Sequence, residues 1–275
     1  MKKLFLFAAA LFLTHAAHAQ DKSYEKIQSA GEIRCGYSIW NPILYKDLES
    51  GQIKGAAYDI MDAIGKKTDL KINFAEETGW GTLTEGLATG RYDMICTTIG
   101  ALSSRGKVID FSKPLFYLPI YVVVRKDEKR FDKSLAGIND PSVKLGVLEG
   151  EGTATFATGY FPKAKIVAIP QTADYSQLLE DVKTGKSDLT LISGETFDAF
   201  NRKNPGILKY AQTGKPIGAF RVAFGLPKGD YQLKQTIDTA IDELQDEGTL
   251  GKILDGYDPE ARLYLRLATP YEQPK

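Results

Sequence analysis

Residues 89–114 read TGRYDMICTTIGALSSRGKVIDFSKP, and the interpretation of the chain starts from this stretch. Thr89-Gly90 is typical of the end of a helix, and the apolar run that begins at Met94 is short enough for a buried parallel strand. Small polar residues follow, then the single cation Arg105, and Pro114 ends the helix expected before it. This order suits a site that binds a carboxylate, whereas the alternative is an ordinary strand-loop-helix with a solvated arginine.

Length and composition indicate a soluble globular protein. The chain has 275 residues, enough for one large domain or two of modest size, and 43% of them are hydrophobic and 25% charged. Lys+Arg and Asp+Glu both number 35, so no basic excess indicates nucleic acid as a partner.

Residues 1–19 have the features of a cleaved secretory signal peptide, which predicts a periplasmic protein. An apolar stretch over residues 4–13, too short to span a bilayer, follows two lysines and precedes the small-x-small cleavage site Ala17-His-Ala19. Cleavage would remove both histidines of the chain, His15 and His18. Histidine-based catalytic triads and histidine metal sites are then excluded, and no metal or cofactor is expected.

The periplasm permits a disulfide between the two cysteines of the chain, Cys35 and Cys96. Both lie inside apolar, strand-like runs, and a bridge between neighbouring strands needs special geometry. Buried free thiols are therefore the favoured interpretation, and a disulfide is the alternative.

A repeated pattern predicts two similar α/β lobes. Val143-Lys-Leu-Gly146 echoes Ile33-Arg-Cys-Gly36, and Thr184-Gly-Lys-Ser-Asp-Leu189 echoes Thr89-Gly-Arg-Tyr-Asp-Met94. Strands that alternate with helices imply mostly parallel sheets with right-handed crossovers. The tail after Asp258 has leucines in alternation and is expected to add an edge strand or to lie against a lobe.

Ligands of parallel α/β sheets bind beyond the carboxyl ends of the strands. Trp40 and Trp80, the two tryptophans of the chain, fall near such ends and offer aromatic faces for the apolar portion of a ligand. Packing in the core is the alternative for both. The predicted strand ends present residues 37–40, 97–100, 148–153 and 192–195.

The helix predicted over residues 154–159 begins after Glu149-Gly-Glu-Gly-Thr153. Exposed N–H groups at a helix start attract an anion, and Gly150 and Gly152 let a ligand approach the backbone closely. The charge of Glu151 opposes a bound anion, so its side chain would point away or bind a ligand amine. A plain strand-helix turn is the alternative.

Several motifs together resemble periplasmic solute-binding protein family 3, the polar amino-acid binding proteins of ABC importers. The resemblance runs from about Gly31 to Tyr257 and implies a two-lobed type II periplasmic binding protein fold of the α/β class, with two hinge crossings, that closes on its ligand. The motifs are Gly55-x-x-x-Asp59-x-x-x-Ala63, Gly90-x-x-Asp93, Arg105-x-x-x-x-Asp110-Phe111-Ser112-x-Pro114, Gly146-Val147-x-x-Gly150 and Asp246-Glu-Gly248-Thr249.

By position, the resemblance implies lobe 1 over residues 20–117, lobe 2 over residues 118–219 and a return to lobe 1 over residues 220–275. The hinges would lie near Tyr117-Leu118 and Gly218-Ala219. The implied ligand is a small carboxylate-bearing metabolite, an amino acid or a relative of one. The implied partner is an ABC transporter permease in the inner membrane, and a monomer is expected.

The resemblance also implies roles for individual residues. In the family, an arginine at the position of Arg105 binds the α-carboxylate of the ligand. Backbone at the position of Thr98 and N–H groups near Gly152-Thr153 share that task. Aromatic residues at the positions of Trp40 and Trp80 flank the ligand side chain.

Two positions depart from the pattern of the family. Gly100 stands where the family usually has Thr or Ser, and Ser193 stands where the family has the Asp that binds the α-ammonium group. Glu195 or Glu151 would have to replace that acid, or the ligand has no α-amine. An amine-bearing ligand bound by Glu195 is the favoured interpretation.

An enzyme on the same scaffold is the alternative function. The fold resembles that of periplasmic cyclohexadienyl dehydratase, in which a carboxylic acid in the cleft carries the chemistry. Glu149, Glu151 or Glu195 would serve as this acid if burial raised its pKa. A passive receptor is favoured because fold analogy alone is weak support for a reaction.

Overall fold

The structure is a computed structural model that describes residues 21–268. The predicted signal peptide over residues 1–19 and the end of the predicted tail after residue 268 lie outside the described residues. Within residues 21–268, no helix is both long and apolar enough to cross a membrane.

The first part of the described chain alternates strands with helices, as predicted. Its helices are α1 (Asp21–Ala30), α2 (Ala56–Thr68) and α3 (Leu83–Ala88). Its strands are β1 (Glu32–Tyr37), β2 (Tyr45–Lys46), β3 (Ile53–Lys54), β4 (Lys71–Glu77), β5 (Met94–Gly100) and β6 (Ile109–Phe111).

The remainder of the described chain contains two long strands and a second α/β unit between them. Its strands are β7 (Phe116–Arg125), β8 (Lys144–Leu148), β9 (Lys165–Ile169), β10 (Leu189–Ser193), β11 (Leu208–Tyr210) and β12 (Gly218–Pro227). Its helices are α4 (Gly152–Tyr160), α5 (Ser176–Lys183), α6 (Gly194–Lys203), α7 (Tyr231–Asp246) and α8 (Thr249–Tyr257).

One continuous sheet joins both α/β units, in the strand order β4-β1-β5-β12-β7-β10-β8-β9, with β11 paired to β7 and β6 paired to β12. The predicted parallel pairing holds towards both ends, where β1 pairs with β4 and β5 and β8 pairs with β9 and β10. In the middle, β7 and β12 are antiparallel to each other and to their other neighbours. These two strands are the two crossings of a two-lobed α/β fold.

Helix α2 shows how the apolar spacing of the sequence sets the packing. Ile60, Met61 and Ile64 are fully buried, because residues three and four apart share one face of a helix. Tyr58, which has helical spacing with Met61, is 36% exposed and stacks on Phe74 of β4 at 5.6 Å between ring centroids. The helix ends where Asp69 adopts a left-handed conformation that lets its N–H bond to Gly65 O.

The chain between β5 and β7 differs from the prediction of a helix that ends at Pro114. A single 3-10 turn forms over Arg105–Lys107, and β6 then pairs with β12 in antiparallel register. A segment this short cannot offset the free-energy cost of nucleating an α-helix. Its backbone groups form hydrogen bonds with the edge of β12 instead.

Cys35 and Cys96 form a disulfide, so the prediction of free thiols is wrong. The register of the parallel pair β1 and β5 sets Cys35 beside Met94, and the Cα atoms of the two cysteines are 5.4 Å apart, a separation that a disulfide spans. The sequence identifies the two strands but not their order in the sheet, and the order decides whether the thiols meet.

We predict that the double variant Cys35→Ala/Cys96→Ala has a free energy of unfolding lower by about 4 kcal/mol, because the bridge closes a long loop in the unfolded chain. The bridged residues are 61 positions apart. Urea denaturation of both proteins measures the difference. A reductant should destabilise the wild type and leave the double variant unchanged, and equal stabilities of the two proteins would contradict the prediction.

Candidate functional site

Three aromatic side chains pack together where the lobes meet. Trp40 follows β1, Trp80 follows β4, and Tyr175 directly precedes α5. The rings of Trp40 and Tyr175 stack at 5.8 Å, and Trp80 meets them edge to face at 5.8 and 6.1 Å. All three are buried. The two tryptophans thus contact each other instead of facing each other across a slot, and with Tyr175 they form one aromatic wall of the cleft.

Unsatisfied polar atoms accompany this wall. Trp40 Nε1, Thr98 Oγ1, Tyr175 Oη and Glu195 Oε2 are buried, and each has no hydrogen-bond partner within residues 21–268. Buried polar groups are normally paired, because an unpaired one loses its hydration without compensation. These four atoms lie after β1, in β5, before α5 and in the first turn of α6, and they suit a polar ligand that binds between the lobes.

Arg105 lies at the rim of the cleft, and its guanidinium group joins the two lobes. Nη1 donates to Gly100 O at 3.2 Å, and Nη2 donates to Gly150 O at 2.9 Å on the opposite side. Burial lowers the pKa of Arg105, and the charge of Glu151 opposes that change. A guanidinium group has five N–H donors, so the remaining ones are available to a carboxylate.

The carboxylate of Glu151 caps helix α4. Its Oε2 accepts from Thr153 N at 2.6 Å and also from the Thr153 hydroxyl group. The N–H that the family resemblance assigned to the ligand carboxylate is therefore engaged by Glu151 in this structure. An acidic side chain at the N-cap compensates the unpaired N–H groups of a helix start, which explains its orientation.

An apolar ring fills the place opposite Gly100. A Cβ atom at Gly100 would lie 3.5 Å from the Phe220 ring, and one at Gly152 would lie 3.4 Å from the same ring. Phe220 is 6% exposed and stands on the crossing strand β12. The position where the family usually has a hydroxyl side chain thus forms part of an apolar surface shared by both lobes.

Glu195 and Ser193 form a pair at the start of α6. The Ser193 hydroxyl donates to Glu195 Oε1, and both side chains are buried. Burial raises the pKa of Glu195 to about 7, although the hydrogen bond from Ser193 acts in the opposite direction. The chain therefore has a carboxyl group two residues after the position where the family has its Asp, oriented by the serine at that position.

Charges on both lobes act on the buried Tyr175 hydroxyl group. Burial raises the pKa of Tyr175 well above its usual value; the charges of Glu151 and Glu195 raise it further, and that of Arg105 lowers it. None of these groups forms a hydrogen bond with the Tyr175 hydroxyl within residues 21–268. Glu149, by contrast, is exposed to solvent.

Backbone contacts hold the cleft closed. Gly81 N donates to Gln171 Oε1 at 2.6 Å, from one lobe to the other. Gly150 has a φ of 75°, and a Cβ atom there would lie 2.4 Å from Gly81 N. Any larger residue at position 150 would therefore collide with the opposite lobe.

Sequence reasoning missed Tyr175, Phe220 and Gln171. The missing signal for Tyr175 and Gln171 was the apolar run over residues 166–169, which forms β9 and ends beside Pro170. With that strand recognised, both residues would have stood at another parallel strand end. Phe220 gives no such signal, because it belongs to an apolar crossing strand.

The profile of bacterial extracellular solute-binding proteins, family 3, matches residues 33–259. The chain belongs to this family. The family assignment made from the sequence motifs is confirmed, and solute binding outside the cytoplasm is the function common to the family.

Individual family members agree with this assignment. The chain is 30% identical over 219 residues to the probable amino-acid-binding protein YxeM of Bacillus subtilis, which covers 78% of this chain and 79% of YxeM. The fold matches that of AbpA from Streptococcus pneumoniae, an amino acid ABC transporter substrate-binding protein bound to L-arginine, with a TM-score of 0.73, 21% identity and coverage of 84% of this chain and 96% of AbpA.

A further structural neighbour is the ancestral amino acid-binding protein AncCDT-1, described as a precursor of cyclohexadienyl dehydratase. The TM-score is 0.72 at 24% identity, over 85% of this chain and 97% of AncCDT-1. At these identities the two solved structures show the fold alone, and they confirm the predicted two-lobed type II fold.

We predict that Glu195 makes the solute-binding protein less stable as the pH rises. The pKa of Glu195 is about 7 in the folded protein and near 4.5 in the unfolded chain, so the folded state binds more protons between these values. The stability from this group is fully present below pH 4.5 and is lost as the pH rises through 7.

Urea denaturation of ligand-free wild type and Glu195→Gln at pH 5 and pH 8 tests the sign. The wild type should lose about 2–3 kcal/mol relative to the variant over this interval. A difference between the two proteins that stays constant with pH would show that Glu195 does not titrate there.

Proposed function

We propose that this solute-binding protein captures a small amino acid, or a close relative with both a carboxylate and an amine, for an ABC importer in the inner membrane. The observation that carries the proposal is the buried carboxyl group of Glu195, whose Oε2 has no partner within residues 21–268, together with the guanidinium group of Arg105, which bonds to carbonyl groups of both lobes. A cation and an anion that both lack an ionic partner among the described residues suit a zwitterion. The relative YxeM, a probable amino-acid-binding protein, supports the same ligand class.

In this proposal each end of the ligand has its own partners. The carboxylate binds the free N–H groups of Arg105, with the hydroxyl groups of Thr98 and Tyr175 as further donors. The amine binds Glu195, whose orientation is fixed by Ser193. Trp40 and Trp80 contact the ligand through the edge of the aromatic wall, and the Phe220 ring beside Gly100 and Gly152 offers a second apolar surface.

The proposed hinges support capture by closure. Leu118 pairs with Phe220 and Pro119 pairs with Ala219 in the register of β7 and β12, so the inferred hinge residues Leu118 and Ala219 lie one register position apart on adjacent strands. We propose that the lobes, divided at residues 117/118 and 219/220, rotate about this pair and that the permease recognises the closed monomer.

We predict that Arg105→Ala abolishes measurable ligand binding while the fold stays intact. The loss of a charged hydrogen bond to a carboxylate corresponds to about 1.5–3 kcal/mol, or roughly 10- to 150-fold in affinity, and more where the anion is left buried. Calorimetry with the amino acid found by a thermal-shift screen measures the effect.

Two variants control the Arg105 experiment. Arg221→Ala removes an exposed arginine from β12 and should leave the affinity unchanged. Arg105→Lys keeps the charge but loses the planar fork and should bind with intermediate affinity. Near-normal affinity of Arg105→Ala would remove this residue from the site.

We predict that Glu195→Gln weakens the binding of α-amino acids and not that of the matching keto or hydroxy acids. A buried ammonium group without an anionic partner is costly, commonly by several kcal/mol, so the wild type should prefer the amine-bearing member of each pair. The affinity for amino acids should also rise with pH up to about pH 7, where Glu195 becomes ionised. Preference of the wild type for amine-free acids would refute the assignment of Glu195.

Catalysis is the second candidate, and one observation favours it. A buried carboxyl group with a pKa near 7 is also what a general acid or base requires. We propose the receptor because the family consists of solute-binding proteins and the relative YxeM is a probable amino-acid-binding protein. Incubation with prephenate and arogenate separates the two functions, since a receptor returns its ligand unchanged.

A further inference from the structure

The segment after α8, residues 258–268, forms a strap with a fixed turn at its start. The Asp258 carboxylate accepts from Leu263 N at 2.7 Å and from Tyr264 N at 2.8 Å. Arg266 donates to Asp258 O at 2.8 Å and to Asp255 Oδ1 at 2.7 Å. The family profile ends at residue 259, so nearly all of the strap lies beyond the matched part of the chain.

The strap is anchored to the first crossing strand. Tyr117 and Leu265 exchange two backbone hydrogen bonds, at 2.9 and 2.8 Å, which make a single antiparallel bridge. Of the two expectations for this tail, an edge strand or packing against a lobe, the described part fits the second. Tyr264 is 1% exposed, and its ring lies 5.0 Å from that of Phe116. These contacts tie the strap to β7 immediately before the proposed hinge.

From this anchor the strap reaches helix α6 of the other lobe. Arg262 Nη2 lies 2.7 Å from Asp198 Oδ2, one turn after Glu195. The Leu263 side chain covers the first residue of the helix, since a Cβ atom at Gly194 would lie 2.9 Å from Leu263 Cδ2. An ion pair and an apolar contact thus meet the first turn of α6, which carries the buried carboxyl group.

We propose that the strap positions the amine-binding carboxyl group, with Arg262 and Leu263 holding the first turn of α6, and therefore Glu195, in its place against the cleft. This inference rests on the proposed role of Glu195 in binding an amine. Arg262 and Leu263 are positioning residues, because neither contacts the cleft itself.

Arg262 also influences the pKa of Glu195 through the charges around that carboxyl group. Asp198 and Asp258 both raise the pKa of Glu195, after the larger effect of burial, and Arg262 pairs with Asp198. Without Arg262 the Asp198 charge is uncompensated, so Glu195 should ionise at higher pH. The ionisable groups around Glu195 are Asp198 on its own helix, Asp258 and Tyr264 on the strap, Tyr121 on β7, Tyr210 on β11 and Tyr175 before α5.

The test compares Arg262→Ala with Arg202→Ala, which removes an exposed arginine from the last turn of the same helix. Arg262 is 50% exposed, so its replacement should leave the protein folded. The first measurement is the titration midpoint of the Glu195 carboxyl carbon by NMR without ligand, with Glu195→Gln as the assignment standard. The second is the affinity for the amino acid found in the screen, at pH 7 and pH 9.

Arg262→Ala should raise the midpoint and weaken binding about two- to fivefold at pH 7, with a smaller loss at pH 9, where Glu195 is ionised in both proteins. Asp198→Asn in the Arg262→Ala background should restore the midpoint, because it removes the uncompensated charge. If Arg262→Ala matches Arg202→Ala in midpoint and in affinity, the strap does not position Glu195. If the wild type binds no amino acid, the proposed function fails, and the NMR midpoint still decides the role of the strap.

Discussion

The antiparallel pairing of β7 with β12 is the constraint on which both lobes depend. It joins two mostly parallel units into one sheet, and it brings Phe220 to the place where Gly100 and Gly152 approach each other. Two paired strands resist separation because the hydrogen bonds between them would lengthen, yet they twist readily. The pair therefore fixes the distance between the lobes and leaves the angle between them free. The angle at which the lobes close therefore depends on contacts at the rim of the cleft, such as the hydrogen bond from Gly81 N to Gln171 Oε1, and on the groups inside the cleft.

The interior of the cleft holds charges that protein groups alone do not neutralise. Neither Arg105 nor Glu195 forms an ion pair with another residue of the described chain; Arg105 donates to two carbonyl groups, and Glu195 accepts from one hydroxyl group. Removing such groups from water is costly unless opposite charges accompany them. Under the proposed function, closure without ligand is therefore opposed and closure on a zwitterion is favoured, because both ends of the ligand compensate a protein charge. This coupling converts binding energy into a change of shape.

The sequence predicted the helices and strands better than it predicted which of them lie next to each other. The spacing of Ile60, Met61 and Ile64 marks one face of a helix because that periodicity is local. The Cys35–Cys96 bridge depends on strand order, which no local pattern encodes. In the same way the resemblance pointed to Arg105 and to position 193, two residues before Glu195, whereas Tyr175 was missed together with the strand before it. Contacts across the cleft cannot be predicted from the periodicity of the sequence, because they depend on how the two lobes pack against each other.

In the proposed assignment, Ser193 and Glu195 together replace the Asp that the family has at position 193 and keep the chemistry of the site. A carboxylate on the strand end is replaced by a hydroxyl group there and a carboxylate two residues later, on the first turn of α6. A helix start stabilises negative charge, and the serine hydroxyl adds a hydrogen bond, while burial acts against ionisation. The balance leaves the group near its titration midpoint at neutral pH, so small changes in nearby charge alter its ionised fraction strongly. The ionised fraction of such a carboxyl group depends on the charges beside it. Asp198 is one of these charges, and Arg262 on the strap is the one arginine that pairs with it among the described residues.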